Sequence, residues 1–245
     1  MRKMYLSAPL PFVGQKRMLA KEFMKVLEQY PDGTLFVDLF GGSGLLSHIT
    51  KSLKPHSTVI YNDFDNYRFR MKHIPQTNQL LADIREMVGN SVPRHKIIKG
   101  ELRERIFSRI EQEENSTGYV DFITLSSSIL FSMKYKLSVQ DMRKEALYNN
   151  IRKTGYPECT DYLEGLEIVS CDYKEVFNRY KDIPGVVFLV DPPYLSTDVG
   201  TYNMYWNMAD YLDVLNVLKG HSYVYFTSNK SSILELREWI GKNRD

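Results

Sequence analysis

The chain has 245 residues, and 43% of them are hydrophobic. This is enough to bury one sizeable core, with or without an insertion, and it excludes the disordered and fibrous classes. The net charge is only +2, from 32 basic and 30 acidic residues, which by itself does not indicate nucleic-acid binding. No apolar stretch approaches the ~20 residues that span a bilayer, and no secretory signal is visible, so we expect a cytoplasmic protein without membrane contact.

The two cysteines, Cys159 and Cys171, form neither a CxxC pair nor a Cys/His cluster. Such isolated cysteines are typical of small, partly buried residues. The sequence therefore predicts no disulfide framework and no metal site.

The first predicted strand is the apolar run Leu35 to Phe40, and a helix is predicted from Leu45 to Ser52. Gly41-Gly42-Ser43-Gly44 connects the two, and such a turn lets a ligand approach the backbone and the positive end of the helix. The spacing is not the GxGxxG of a dinucleotide site. With Asp38 ahead of it, the loop better suits a ligand with a charged amino-acid moiety, although a tight connection alone would look similar.

The second predicted strand, Thr58 to Tyr61, ends at Asn62-Asp63 and is followed by a helix from Asp65 to His73. A carboxylate about twenty residues after a glycine loop can accept both hydroxyls of a ribose. Asp63 alone would equally suit a helix cap. Together with the loop it indicates a nucleoside-bearing cofactor, and Asp172, at the end of a later predicted strand, is a candidate contact to the adenine end.

A further strand, Gly185 to Val190, ends in the tetrapeptide Asp191-Pro192-Pro193-Tyr194. The prolines cannot donate backbone hydrogen bonds, so the carbonyls beside them can serve as acceptors. A carboxylate and a carbonyl together can orient an amino group with its lone pair directed at an electrophile. Tyr194 offers a face for an unstacked base, whereas a purely structural proline turn is the alternative.

The last strand is predicted at Tyr223 to Ser228, before an amphipathic helix from Ile233 to Ile240. Strands that alternate with helices predict an α/β fold with a doubly wound, mostly parallel sheet. Ligands bind such sheets at the carboxyl ends of the strands, where these polar residues would lie.

Residues 75–164 interrupt this alternation and read as a helical insertion without a clear strand. Predicted helices run from Asn78 to Val88, Lys99 to Glu114, Phe122 to Phe131 and Val139 to Ile151. Basic groups interleave with tyrosines there, which suits phosphate contact and base stacking, although a solvated helical surface is the more common origin of such a pattern. The basic groups are Arg94-His95-Lys96 with Lys99, Lys134 and Lys136, Arg143-Lys144, and Arg152-Lys153.

Three elements in this order resemble the Dam-type DNA N6-adenine methyltransferases, which depend on S-adenosylmethionine. They are Phe12-Val13-Gly14-Gln15-Lys16, the segment from Asp38 to Gly44, and the DPPY motif at Asp191 to Tyr194. The resemblance implies a Rossmann-like catalytic domain at 1–74 and 165–245, and a target recognition insertion at 75–164. It also implies that the substrate is double-stranded DNA, with the target adenine flipped out of the helix.

The resemblance further implies roles for single residues. The cofactor site would be closed by Phe12, Gly14 and Lys16, and the methionine moiety would be surrounded by Asp38, Phe40, Gly41, Gly42, Ser43 and Gly44. Asp63 would hold the ribose and Asp172 the adenine ring of the cofactor. At the target base, the catalytic group would be Asp191, Pro192, Pro193 and Tyr194, with Lys134, Lys136, Arg143 and Lys144 as candidate phosphate contacts.

Two alternatives stay open at the level of sequence. DPPY says only that a planar amino group is presented, so methylation of an exocyclic amino group in RNA is the enzymatic alternative. The other is a non-catalytic nucleic-acid-binding relative, suggested by Gln15 in place of a glycine and by the predicted final helix ending near the last residue. The DNA sequence recognised, the oligomeric state, and a restriction-modification, orphan or phage origin are not predicted.

Overall fold

The computed structural model describes residues 3–131, 135–193 and 208–226. The chain divides into two compact units, which we describe separately. The first unit comprises residues 1–8, 14–67 and 160–245, and the second comprises 9–13 and 68–159.

The described strands are, in chain order, β1 (Phe36–Asp38), β2 (Val59–Asn62), β3 (Ile97–Ile98), β4 (Leu147–Tyr148), β5 (Glu167–Val169), β6 (Val187–Val190) and β7 (Ser222–Tyr225). The described helices are α1 (Ala20–Glu28), α2 (Leu45–Leu53), α3 (Tyr67–Lys72), α4 (Ile74–Val88), α5 (Gly100–Thr117), α6 (Phe122–Ile129), α7 (Val139–Arg143), α8 (Tyr173–Tyr180) and α9 (Met208–Val217).

The first unit is built on a five-stranded sheet in the order β5-β2-β1-β6-β7. Each neighbouring pair of these strands is parallel. Helices follow the strands along the chain, as parallel connections require. The predicted doubly wound, mostly parallel α/β fold is therefore confirmed.

Both faces of this sheet are covered by apolar side chains, because successive residues of a strand point to opposite faces. Phe36 packs in a cluster with residues of α1 and α2, among them Phe23 and Ile49. Its neighbour Val37 packs in a second cluster with residues of α8 and α9, among them Val176. β1, β2 and β6 are buried along their whole length, which explains their nearly continuous apolar sequences.

The strand order reverses direction between β1 and β6, which lie side by side at the centre of the sheet. Asp38 ends β1 opposite Leu189 of β6, and the backbone N–H of Leu39 donates to the Leu189 carbonyl at 3.0 Å. Asp191 directly follows β6. The fold therefore places the two predicted carboxylates at the carboxyl ends of adjacent strands, at the switch point where such sheets bind ligands.

The second unit packs α4, α5, α6 and α7 around an apolar interior, but it also contains a two-stranded antiparallel ribbon. Ile97 pairs with Tyr148, and Ile98 pairs with Leu147. The prediction of an insertion without strands is thus wrong, and the helix predicted from Val139 to Ile151 ends at Arg143. Two-residue strands leave no periodic pattern, and this pairing joins residues about fifty positions apart, so local sequence could not indicate it.

A buried ion pair anchors the second unit. The Arg70 guanidinium donates to both carboxylate oxygens of Asp121, at 3.1 and 3.2 Å, and to the Pro11 carbonyl at 2.9 Å. Asp121 is also the N-cap of α6 and accepts from the Thr124 backbone N–H. One salt bridge therefore ties α3, the start of α6 and the segment 9–13 together.

Within the described parts of the chain, no helix is both long and apolar enough to cross a bilayer.

Candidate functional site

The glycine loop between β1 and α2 has a conformation that only glycine accepts easily. Gly42 and Gly44 have φ of 49° and 72°, and Gly44 is the N-cap of α2. A Cβ on Gly41 would lie 2.4 Å from the Tyr61 ring and 2.6 Å from the Asn62 carbonyl oxygen. The packing of the loop against β2 thus requires glycine, in addition to any need for close approach by a ligand.

Two phenols hold the carbonyls of this loop. The Tyr61 hydroxyl lies 2.8 Å from the Gly42 carbonyl and 3.0 Å from Oδ1 of Asp63. The Tyr162 hydroxyl donates to the Ser43 carbonyl at 3.1 Å. Sequence reasoning missed both tyrosines. Tyr61 could have been noticed as the residue ahead of Asn62-Asp63, but Tyr162 is more than a hundred residues from the loop and leaves no local signal.

His48, on α2, supports this arrangement from behind. Its Nε2 accepts the backbone N–H of Tyr5 at 2.9 Å, and its Nδ1 lies 2.7 Å from the Tyr162 carbonyl. Because the first partner can only donate and the second can only accept, the proton must be on Nδ1. The imidazole also stacks on the Tyr162 ring, so this buried histidine positions a residue that holds the loop.

Asp38 is fully buried at the end of β1. Its Oδ2 accepts from the Ser47 hydroxyl at 2.7 Å, while Oδ1 has no hydrogen-bond partner among the described residues. Burial is the largest cause that raises the pKa of Asp38 to about 7, and the charge of Asp191 adds to it. An unpaired buried carboxylate oxygen is costly, so this geometry suits a ligand that brings a positive charge or an N–H donor.

Asp191 is the second buried carboxylate of the site. Lys16 Nζ lies 2.5 Å from its Oδ2 and donates to the Gly14 carbonyl at 2.7 Å. Oδ1 of Asp191 has no hydrogen-bond partner in the described part of the chain. Burial raises the pKa of this carboxyl to about 6, although Lys16 lowers it. One oxygen is therefore held by an ammonium, and the other is available as an acceptor.

The two prolines continue the chain from Asp191. Pro192 is buried, and the Pro193 carbonyl accepts a hydrogen bond from the Tyr211 hydroxyl on α9. Tyr211, which sequence reasoning did not identify, thus fixes the backbone just after the carboxylate. Tyr194 lies outside the described residues.

The N-terminal element is shared between the two units. Gly14 and Lys16 belong to the first unit, and Gly14 has a φ of 75°. Phe12 belongs to the second unit, so its predicted role beside the cofactor stays a prediction.

Asn62 connects the ends of three strands. Its side-chain NH₂ donates to the Leu39 carbonyl at 3.0 Å and to the Cys171 carbonyl at 2.9 Å, and its Oδ1 accepts the Cys171 backbone N–H at 3.1 Å. The amide side chain thereby continues the sheet beyond β1, β2 and β5. It determines where the loops that carry Asp63 and Asp172 begin.

Both of these aspartates serve as local caps. Asp63 is buried, and its Oδ1 accepts the Tyr67 backbone N–H at 2.6 Å. Asp172 is the exposed N-cap of α8 and accepts the Lys174 backbone N–H at 2.8 Å. The capping function anticipated as an alternative for Asp63 is present, and the ligand contacts of both residues stay predictions.

Phe40, the aromatic residue of the glycine loop, is half-buried. Its ring centroid lies 4.9 Å from that of Tyr173, so the ring packs toward α8 on one face of the sheet. Its contact with a methionine moiety is untested.

No group of three or more His, Cys, Asp or Glu side chains that could hold a metal ion occurs within residues 3–131, 135–193 and 208–226.

Comparison with known proteins relates the whole arrangement to one family. Residues 12–239 match the model of the D12 class N6 adenine-specific DNA methyltransferases. A Haemophilus influenzae protein named "Putative methyltransferase" is 36% identical over 249 aligned residues, which cover 99% of this chain and 83% of that protein. The match spans the glycine loop, Asp191 and the residues between them. The chain therefore belongs to the D12 class N6 adenine-specific DNA methyltransferase family.

Proposed function

We propose that this protein transfers a methyl group from S-adenosylmethionine to the N6 amino group of adenine in double-stranded DNA. The observation that carries the proposal is the placement of two buried carboxylates at the ends of adjacent strands, each with one oxygen lacking a hydrogen-bond partner among the described residues. Asp38 stands beside a glycine loop, and Asp191 begins the DPPY motif. The family of the chain supports the same reaction.

The residues at the end of β1 fit S-adenosylmethionine. Its amino-acid moiety carries an ammonium, which suits the unpaired Oδ1 of Asp38. The positive end of α2 and the backbone of Gly41 to Gly44 can approach the carboxylate of the same moiety. Residues proposed to hold the cofactor are Phe12, Gly14, Lys16, Asp38, Phe40, Gly41, Gly42, Ser43, Gly44, Asp63 and Asp172.

The sulfonium of the bound cofactor supplies an already activated methyl group. The protein then has to align the target nitrogen and polarise it, and these two effects carry the catalysis. Oδ1 of Asp191 accepts one N–H of the adenine amino group and the Pro192 carbonyl accepts the other, which directs the nitrogen lone pair at the methyl carbon. Lys16 holds Oδ2 of Asp191 and so keeps Oδ1 aimed.

The amino group is unreachable for in-line attack inside a duplex, so the adenine has to leave the stack at a cost of a few kcal/mol. Tyr194 is proposed to stack on the flipped base. Residues 75–164 are proposed to recognise the target sequence, because the catalytic motifs lie on either side of them.

Methyl transfer is tested with labelled S-adenosylmethionine and unmodified duplex DNA, followed by nucleoside analysis. We expect N6-methyladenine in DNA and none in an RNA of the same sequence. Label confined to RNA, or found on cytosine, would overturn the proposed substrate.

The acceptor role of Asp191 is tested in the same assay. We expect Asp191→Ala to abolish methyl transfer while calorimetry still detects binding of S-adenosylmethionine. Unchanged turnover would contradict the assigned role, and the absence of any binding heat from the unmodified protein would favour the non-catalytic alternative.

A further inference from the structure

The cations of the second unit fall into two groups, and the first group is neutralised by carboxylates. Arg143 contacts Glu104 and Glu111 at 2.7 and 3.0 Å. Lys136 lies 3.1 Å from Glu145. Lys144 lies 2.7 Å from Asp141. These three residues were candidate phosphate contacts by sequence, but each already has an anionic partner, and the fourth candidate, Lys134, lies outside the described residues.

The second group lies around the β3–β4 ribbon and has no carboxylate within ion-pair distance among the described residues. We call it the basic ribbon surface, and its members are Arg85, Arg94, His95, Lys96, Arg152 and Lys153. Two stretches that contribute to it, residues 91–100 and 147–157, contain no Asp or Glu at all. Five of its six members carry a positive charge at neutral pH without counting the histidine.

Hydrogen bonds to one short segment bring these residues together. Arg94 Nη1 donates to the Ile151 carbonyl and Arg85 Nε donates to the Arg152 carbonyl, each at 2.8 Å. The backbone N–H of His95 donates to the Asn149 carbonyl at 3.0 Å. Two basic groups that are more than fifty residues apart in the sequence therefore share one surface.

Structural needs explain only part of this concentration of charge. Arg85 and Arg94 each use guanidinium donors to satisfy backbone carbonyls. Lys96 and Lys153 are exposed, and in the described part of the chain their ammonium groups make no hydrogen bond or ion pair. Clustered like charges without compensation destabilise a fold, so an external anion is the natural partner of this surface.

Exposed apolar side chains lie beside the basic ribbon surface. Phe131 is 60% exposed, and its ring centroid is 5.7 Å from that of Tyr148. Ile97, which faces Tyr148 across the ribbon, is 40% exposed. An aromatic patch next to unpaired cations is the composition of a nucleic-acid surface, where cations contact phosphates and rings contact bases or sugars.

We infer that the basic ribbon surface binds the phosphate backbone of the duplex DNA substrate, with Phe131 contacting the nucleic acid beside it. This inference rests on the proposed function for its partner. It replaces the phosphate contacts predicted at Lys136, Arg143 and Lys144.

The test uses Lys96→Gln/Lys153→Gln, because neither side chain supports the fold. Its matched control is Lys136→Gln/Lys144→Gln, which removes the same charge from two cations that are already paired. Duplex binding is measured by fluorescence anisotropy over a salt series. Each lost phosphate contact reduces the slope of log K against log salt by about 0.9. Two lost contacts make the affinity drop between 50 and 200 mM salt about tenfold smaller than for the unmodified protein.

The control is expected to keep the slope of the unmodified protein, and Phe131→Ser to weaken binding without changing the slope. Equal slopes for the test and control variants would overturn the inference, as would tighter binding of RNA than of duplex DNA. Affinity for S-adenosylmethionine, and turnover at saturating DNA, should be unchanged in the test variant. Failure of the proposed function itself would be distinguishable, because the unmodified protein would then methylate no DNA.

Discussion

The ammonium of Lys16 lies 2.5 Å from Oδ2 of Asp191, and this contact leaves Oδ1 of the same carboxylate as a buried acceptor. It joins the N-terminal element to the end of β6, although the two are far apart in sequence. Burial and Lys16 act in opposite directions on the pKa of Asp191, and burial is the larger effect.

Lys16→Met should therefore raise the pKa of Asp191 further, because it removes the neighbouring charge that lowers it. If Asp191 accepts the amino proton of adenine, it must be ionised for turnover. We expect the acidic limb of the kcat/KM profile to move to higher pH, as measured by methyl transfer across a pH series. Lys16→Arg is the control, since it keeps the charge; an acidic limb at the same pH in both variants would contradict the assignment.

Asp38 should make the protein less stable as pH rises. Its pKa is raised from the ordinary value of 3.8 to about 7 in the folded state, so between these values the folded protein binds the proton more tightly than the unfolded chain. The free energy of unfolding then falls as pH increases from about 4 to about 7. Asp38→Asn keeps an acceptor for Ser47 but removes this titration.

We expect urea unfolding of Asp38→Asn to show a smaller loss of stability between about pH 5 and pH 7 than the unmodified protein. At neutral pH the variant should be the more stable of the two, because it no longer buries a charge. Parallel pH dependences would show that Asp38 is not the titrating group. Cofactor affinity should fall in the variant, in keeping with a functional reason for the buried carboxylate.

Gly41→Ala should be strongly destabilising, because its Cβ would lie 2.4 Å from the Tyr61 ring and 2.6 Å from the Asn62 carbonyl oxygen. Neither the ring nor the backbone can move without disturbing the sheet. Gly185→Ala is the matched control, since that glycine has a φ of 76° but no atom within 4 Å of the position that a Cβ would take. Backbone strain alone should cost about 1–2 kcal/mol there. Thermal unfolding that ranks the two variants equally would argue against the close packing.

Asp121→Ala should lower the free energy of unfolding by about 3–5 kcal/mol, because it leaves the buried Arg70 guanidinium without its carboxylate. The substitution also removes the N-cap of α6. Asp141→Ala is a suitable comparison. It removes an exposed carboxylate that pairs with Lys144, and such pairs contribute about 0–1 kcal/mol. Urea titration of both variants tests the difference, and a loss below about 1 kcal/mol for Asp121→Ala would contradict it.

Several elements of the fold could be predicted because their signals are local. The strand at Val187–Val190 is a continuous apolar run, and the glycines after Asp38 mark a turn before a helix. The ribbon of the second unit had no such signal, since each of its strands has two residues. Its antiparallel pairing depends on contacts between distant segments, and the helix predicted through it was wrong for that reason.

The candidate site shows the same division. Asp38 and Asp191 were identified from sequence because each follows a buried strand. Tyr162, His48 and Tyr211 were not, because they act through hydrogen bonds to backbone carbonyls or N–H groups that any sequence provides. Such partners are selected by position in space, and no residue pattern around them is distinctive.

The sequence by itself determined the order of strands and helices, the residues at the strand ends and the resemblance to the family, because hydrophobic period, glycine and proline act locally. Only the tertiary structure decided which oxygen of Asp191 is held by Lys16, which oxygen of Asp38 lacks a partner, and which cations have carboxylate neighbours. Those properties depend on distances of 2.5–3.1 Å between residues far apart in the chain. Electrostatic and hydrogen-bonding energies change steeply over such distances, so composition and spacing alone do not specify them.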